Sequence, residues 1–112
     1  MNIDYVNVRV KKNFTDYNLM QKRLPFNWVR TIKKHIIRLE AADNFGDFLK
    51  LGLGKPEHLS GYSDIRYSLH IAANTRLIII LDTSSDLIHA CNKIIIIGVC
   101  DYHGNKENWF IS

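Results

Sequence analysis

Residues 94–99, IIIIGV, restrict what this chain can become more than any other stretch. Four isoleucines in succession are stiff at χ1 and favour extended backbone, and without polar alternation neither face of such a strand suits water. The run predicts a strand over Lys93 to Cys100, the last of the chain, in the interior of a sheet with both faces covered. Two other runs dense in Ile, Leu and Val, Ile65 to Ile71 and Arg76 to Leu81, precede it, separated by AANT and by DTSSDLIHACN. Successive pairing of the three gives an antiparallel meander.

A sheet of that kind needs a cover, and residues 26 to 42 supply it. Val29, Ile32, Ile36 and Leu39 recur at three- and four-residue spacing, which places them on one side of a helix, with Arg30, Lys33, Lys34 and Arg38 on another. Asn27 is expected to cap its start. Asp43, Asn44 and Gly46 are expected to end it, before a short helical turn through Asp47, Phe48 and Leu49. Upstream, IDYVNVRV over residues 3 to 10 alternates and is β-branched, predicting a strand beside or at an edge of the sheet. Residues 11 to 24 carry at most a short or irregular helix, since Pro25 biases Leu24 away from helix. Residues 52 to 64 form a loop; LGLGKPEHLSG lacks a P-loop's GxxxxGK[ST] and its flanking strand and helix, so a nucleotide cradle is excluded. The class is α+β, and 112 residues suit one domain, 1–112.

The hydrophobic share of 46% and the charged share of 23% exclude a disordered or fibrous chain. No stretch approaches the roughly 20 apolar residues that cross a bilayer, and MNIDYVNVRVKK lacks the order of a signal peptide. A cytoplasmic protein without membrane contact is expected. Cys91 and Cys100 lack CxxC spacing and a nearby His pair, so they are expected to be buried, reduced thiols, with no metal and no cofactor. Nine of the 15 Lys and Arg precede residue 41, against the three acids Asp4, Asp16 and Glu40, so that segment carries +6 of a total of +4. Such a surplus suits a polyanion or an acidic protein partner, and equally a solvated helix face.

Asp101, Tyr102 and His103 directly follow the isoleucine run and are expected to emerge where the sheet meets solvent. Meander geometry sets them across from Lys55, Glu57 and His58 of the loop and from His70 and Arg76 of the strand pair. These residue types cover the roles that RNA cleavage through the 2′-hydroxyl requires: a base, cations for the phosphorus oxygens, and an acid for the departing 5′-oxygen. The same residues also suit plain structure, His70 as a hydrogen-bonded strand residue and Asp-Tyr-His as a strand terminus making turn contacts. His35 reads as a surface residue among basic neighbours, and His89 as a partly buried loop residue.

The order of FNWVRTIKKHIIRLEAADNFGDFLKL, GKPEHLSG, YSLHIAANTRLII and VCDYH resembles the RelE/ParE toxin superfamily, in its host-inhibition-of-growth branch, over residues 27 to 103. The resemblance implies a small domain with two N-terminal helices packed on a curved, mainly antiparallel sheet. It also implies the toxin of a type II toxin–antitoxin system that cleaves mRNA on the translating ribosome, without metal, and arrests growth. It implies catalysis by His103, Tyr102, Asp101 and Arg76, with Asp101 orienting the Tyr102–His103 pair. His58, His70 and Lys55 are further catalytic or substrate-binding groups in that scheme, and Arg30, Lys33, Lys34 and Arg38 face RNA or the ribosome. The implied partners are a helix-turn-helix antitoxin, mRNA and the ribosome, with operator DNA reached only through the antitoxin complex. The chain departs from the family pattern at His58, one place late, at His70 in place of an arginine, and at Thr75 in place of a tryptophan. Two other readings stand beside this one: a gyrase-directed toxin on the same fold, and a non-catalytic domain acting only in an antitoxin–DNA repressor complex.

Overall fold

The isoleucine run becomes the spine of a six-stranded mixed sheet, seen in a computed structural model that describes residues 1–104 and 106–112. Strand β5 (Lys93–His103) pairs along one side with antiparallel β4 (Thr75–Leu81). Its other side is shared between parallel β1 (Asn2–Tyr5), along residues 93–96, and antiparallel β6 (Lys106–Ile111), along residues 99–103. Beyond β4 lie β3 (Ile65–His70) and the short edge strand β2 (Glu57–Leu59), giving the order β1-β5-β4-β3-β2. The meander is present and extends further at both ends than the sequence indicates. The loop over 52–64 contains β2, and a strand, β6, comes after the one expected to be last.

Four helices pack on one face of this sheet. Helices α1 (Val8–Thr15) and α2 (Tyr17–Gln21) precede the long α3 (Phe26–Ala41) and short α4 (Phe45–Lys50). The expected strand over residues 3–10 is thus cut at Tyr5. The Asn7 side chain accepts the Val10 amide at 2.9 Å and caps α1, while Val10 and Phe14, four apart, drop into the core. Val29, Ile32, Ile36 and Leu39 of α3 are buried as the spacing predicts, but the cap position is Pro25, and Asn27 lies inside the helix. Asn44 caps α4 by accepting the Asp47 amide at 2.8 Å. Among the described residues no helix is long and apolar enough to cross a membrane.

Ile94 and Ile96 point into the helix-covered core with Leu77, Ile79 and Leu81. Ile95 and Ile97 are only half-buried, so the second face is not covered as expected. It carries a thin apolar cluster, Leu59, Ile78 and Cys100, with Ile97, Tyr102 and Trp109 packed against it. No helical residue belongs to that cluster. The run lacks sequence alternation because both faces are apolar, one beneath helices and one beneath only side chains and a loop.

A β-bulge sets the facing of the residues at the far end of β5. Ile78 pairs with Gly98 and Ile79 with Ile96, so Ile97 is an extra residue on β5. Past it the facing parity flips. Val99 and Asp101 lie on the helix side, opposite Leu77 and Thr75, whereas Cys100, opposite Arg76, and Tyr102 lie on the other face. Gly98 adopts φ +151, and a Cβ there would collide with the Ile111 carbonyl, so the bulge needs glycine.

Candidate functional site

Asp101, Tyr102 and His103 do not project from a strand end; they are the last rungs of β5, paired with Asn108, Glu107 and Lys106 of β6. Side chains alternate along a strand, so the three do not share one face. Tyr102 stands on the helix-free face, while Asp101 turns to the helix side opposite Thr75. There Asp101 Oδ1 is buried without a hydrogen-bond partner among the described residues. Among the described residues no hydrogen bond to the Asp101 carboxylate orients the Tyr102–His103 pair, although Asp101 and His103, two apart on β5, face the same side.

The turn between β3 and β4 takes that role. Arg76 Nη1 donates to the carbonyls of Ala72 at 2.9 Å, Ala73 at 3.1 Å and Thr75 at 3.0 Å, fixing the turn from within. The Asn74 carbonyl in that turn accepts the Tyr102 amide at 2.7 Å. The Asn74 side-chain amide meets His103 Nδ1 at 3.1 Å. One short turn thus gathers Arg76, Tyr102 and His103 at one end of the sheet. Asn74 is the residue that sequence reasoning missed, because AANT signals only a turn.

His70 and Arg76 are direct cross-strand partners on the helix-free face. The His70 imidazole is held below its ordinary pKa, first by burial and then by the positive charges of Arg76 and Lys55. It is thereby neutral at physiological pH and able to accept a proton. Lys55 occupies the left-handed region at φ +45, in the loop whose Gly54 carbonyl accepts the His70 amide at 2.8 Å. Lys55, His70, Arg76 and Tyr102 therefore share one region, with His103 at its rim. His58 does not belong to it. Its ring stacks edge-on against Tyr67 at 5.3 Å, and Tyr67 packs against the helix-side core.

Two other histidines differ from expectation. His35 is 3% exposed, not a surface residue; its Nε2–H donates to the His70 carbonyl at 2.7 Å, and burial pushes its pKa down. Spaced three residues from Ile32 and four from Leu39, it joins the buried stripe of α3 and turns under β3, a placement that only packing against Gly54 reveals. His89 is exposed, not partly buried, and contributes only its carbonyl, to the Gly46 amide at 3.0 Å. Cys91 and Cys100 are free and buried as expected, and burial raises the Cys100 thiol to about 12.

A second polar group on the helix-free face was not legible in the sequence. The Tyr62 hydroxyl donates to the Glu107 carboxylate of β6, and the Arg66 guanidinium lies 4.0 Å over the Tyr62 ring while pairing with Asp64 at 2.9 Å. The bond to Glu107 pushes Tyr62 up to about 12. Because β4 and β5 separate β3 from β6, the loop before β3 must arch over them to make this contact. Arg30, Lys33 and Lys34 are exposed and Arg38 half-buried on the outer side of α3, behind the helical layer, and are not part of this face.

No protein-family model, no curated protein and no solved structure matches the chain. Among the described residues, no group of three or more His, Cys, Asp or Glu is arranged to hold a metal ion.

Proposed function

We propose that the chain is a RelE-like toxin of the host-inhibition-of-growth kind, a ribosome-dependent endoribonuclease of a type II toxin–antitoxin system acting in the cytoplasm. The observation that carries this reading is that the β3–β4 turn links Arg76 to two imidazoles. His70 pairs with it from β3, and His103 is tied to its turn through Asn74 from β5. A base, a cation and an acid are thereby tied to one turn at the end of the sheet. A helical layer on one side of a largely antiparallel sheet supports the reading at the level of the α+β class, with four helices in place of the two that the resemblance implies.

In this scheme neutral His70 takes the proton of a 2′-hydroxyl as its oxygen bonds to the adjacent phosphorus. Arg76, through its unengaged nitrogens, and Lys55 hold the charge on the phosphorus oxygens. His103, positioned by the 3.1 Å contact of its Nδ1 with the Asn74 amide nitrogen, passes a proton from Nε2 to the 5′-oxygen as the P–O5′ bond breaks. The products are a 2′,3′-cyclic phosphate and a free 5′-hydroxyl. Tyr102 lies beside the path and aligns the substrate. An antitoxin of helix-turn-helix type would neutralise the chain, and the pair would reach operator DNA only together.

Mapping of 5′ ends on translated mRNA after induction tests the scheme, with His103→Ala, His70→Ala and Tyr102→Phe as comparisons. Each histidine variant should lower cleavage by about 10²- to 10⁴-fold and relieve growth arrest, with an unchanged circular dichroism spectrum. Undiminished cuts in both would end the nuclease reading. One observation favours a non-catalytic domain instead: Arg76 Nη1 already serves three turn carbonyls, a purely structural use. Under that reading, or that of a gyrase-directed toxin, mRNA stays intact on induction. Only the gyrase-directed toxin gives DNA breaks.

A further inference from the structure

We infer that the outer face of α3 is the docking surface for an acidic, amphipathic helical segment of a protein partner, not an RNA-binding stripe. Phe26, Arg30, Lys33, Lys34, Ile37 and Ala41 succeed one another at close helical spacing and are all exposed, so they form one continuous face opposite the buried stripe. This face is not simply basic. Phe26 is 64% exposed and Ile37 61%, and Leu51, 50% exposed, continues the apolar surface past the end of α4. Ile37, Ala41 and Leu51 line a groove of about 310 Å³ between α3 and the end of α4. Large apolar side chains framed by charge mark a protein contact.

Charge complementarity selects the occupant. None of the ion pairs among the described residues uses a cation of α3. Lys33 lies over the Tyr17 ring at 5.1 Å and Arg30 over Phe26 at 6.0 Å, which leaves Lys34 and the groove-lining Arg38 to face carboxylates. A nucleic-acid backbone would gain nothing from Ile37 and Leu51, and Asp43 and Asp47, which also line the groove, would repel its phosphates. A helix with an apolar stripe set into the groove and Asp or Glu along its edge satisfies both components. Its carboxylates belong over the first three turns of α3, and neutral or basic residues opposite Asp43 and Asp47. This face lies behind the helical layer, away from His70, Arg76 and Tyr102, so docking and RNA cleavage stand or fall separately.

The test is a selection of displayed random peptides, long enough to span α3 at about 16 residues, on the wild-type chain with Ile37→Glu as counter-target. Ile37 is exposed, so that variant keeps its fold. Enriched sequences should carry Leu, Ile or Phe at helical spacing together with Asp and Glu. As synthetic peptides they should lose about tenfold or more in affinity to Ile37→Glu or Leu51→Glu. Lys34→Glu should weaken them also, and added salt should mimic that loss. A labelled single-stranded oligouridine should bind wild type and Ile37→Glu alike. The inference is overturned if nothing is enriched over the counter-target, if enriched peptides lack carboxylates, or if oligouridine binding falls tenfold in Ile37→Glu. Sedimentation showing a dimer that Ile37→Glu dissolves would overturn it too, by assigning the face to a second copy. Loss of mRNA cleavage in His103→Ala with peptide binding retained is expected. Cleavage that persists in that variant would refute the nuclease and leave the docking face intact.

Discussion

Replacing His35 by glutamine should make the protein's stability less sensitive to acid, and the structure sets the size of the effect. The imidazole is 3% exposed, donates Nε2–H to the His70 carbonyl at 2.7 Å, and buries Nδ1 with no partner. Burial lowers its pKa, against a smaller upward pull from the hydrogen bond to His70 and a further lowering from the Arg38 charge. The folded chain therefore refuses a proton that the unfolded chain accepts below its ordinary pKa of about 6.5. Stability supplied by this residue is complete above that pH and is lost as pH falls from there toward the depressed native value. The loss between about pH 7.5 and pH 5.5 is at most about 1.4 kcal/mol, the limit set by protonation of the unfolded residue alone. That is a sizeable part of the roughly 5–15 kcal/mol of a domain this size. Glutamine can still donate to the His70 carbonyl but does not titrate, so the variant should start about 1 kcal/mol less stable at pH 7.5. The gap should then narrow as pH falls toward 5.5. Urea unfolding of both proteins at several pH values measures the gap, and contributions from the other titrating groups cancel in the difference. A gap that is the same at every pH would show that His35 is not sealed as described.

Gly98→Ala should cost about 3 kcal/mol or more, because the new Cβ meets the Ile111 carbonyl and the residue must keep φ +151; a urea midpoint within error of wild type would refute the bulge. The His70 proton titration followed by NMR should move to higher pH in Lys55→Asn, and further in Arg76→Gln, since each removes a cation that opposes protonation. Asparagine tolerates the left-handed backbone at residue 55, so an unmoved titration in that variant would mean that Lys55 does not face the imidazole. Cys91 and Cys100 should resist maleimide at pH 8 in the native protein and react in urea, as both are buried and Cys100 titrates near 12; rapid native labelling would place a thiol at the surface.

Local pattern alone determined a good deal of this protein. The stripe Val29, Ile32, Ile36 and Leu39 and the three apolar runs each depend on neighbours within a few residues, and each appears where its spacing places it. The α+β class and the pairing of β3, β4 and β5 stem from those elements and their short connections. Tertiary structure decided the rest, because the deciding contacts are distant in sequence. VNVRV reads as strand from its alternation and β-branching, and the Asn7 cap with burial of Val10 and Phe14 makes it the start of a helix instead. KENWFI becomes β6 because β5 offers it a free edge, and Phe110 finds Trp28 of α3 at 5.5 Å. The facing of Asp101 and Tyr102 is set by the Gly98 bulge, since one extra residue in a ladder of period two exchanges every side chain beyond it. His35 stands among cations in sequence and under Gly54 in space, so its burial depends on the sheet that α3 covers.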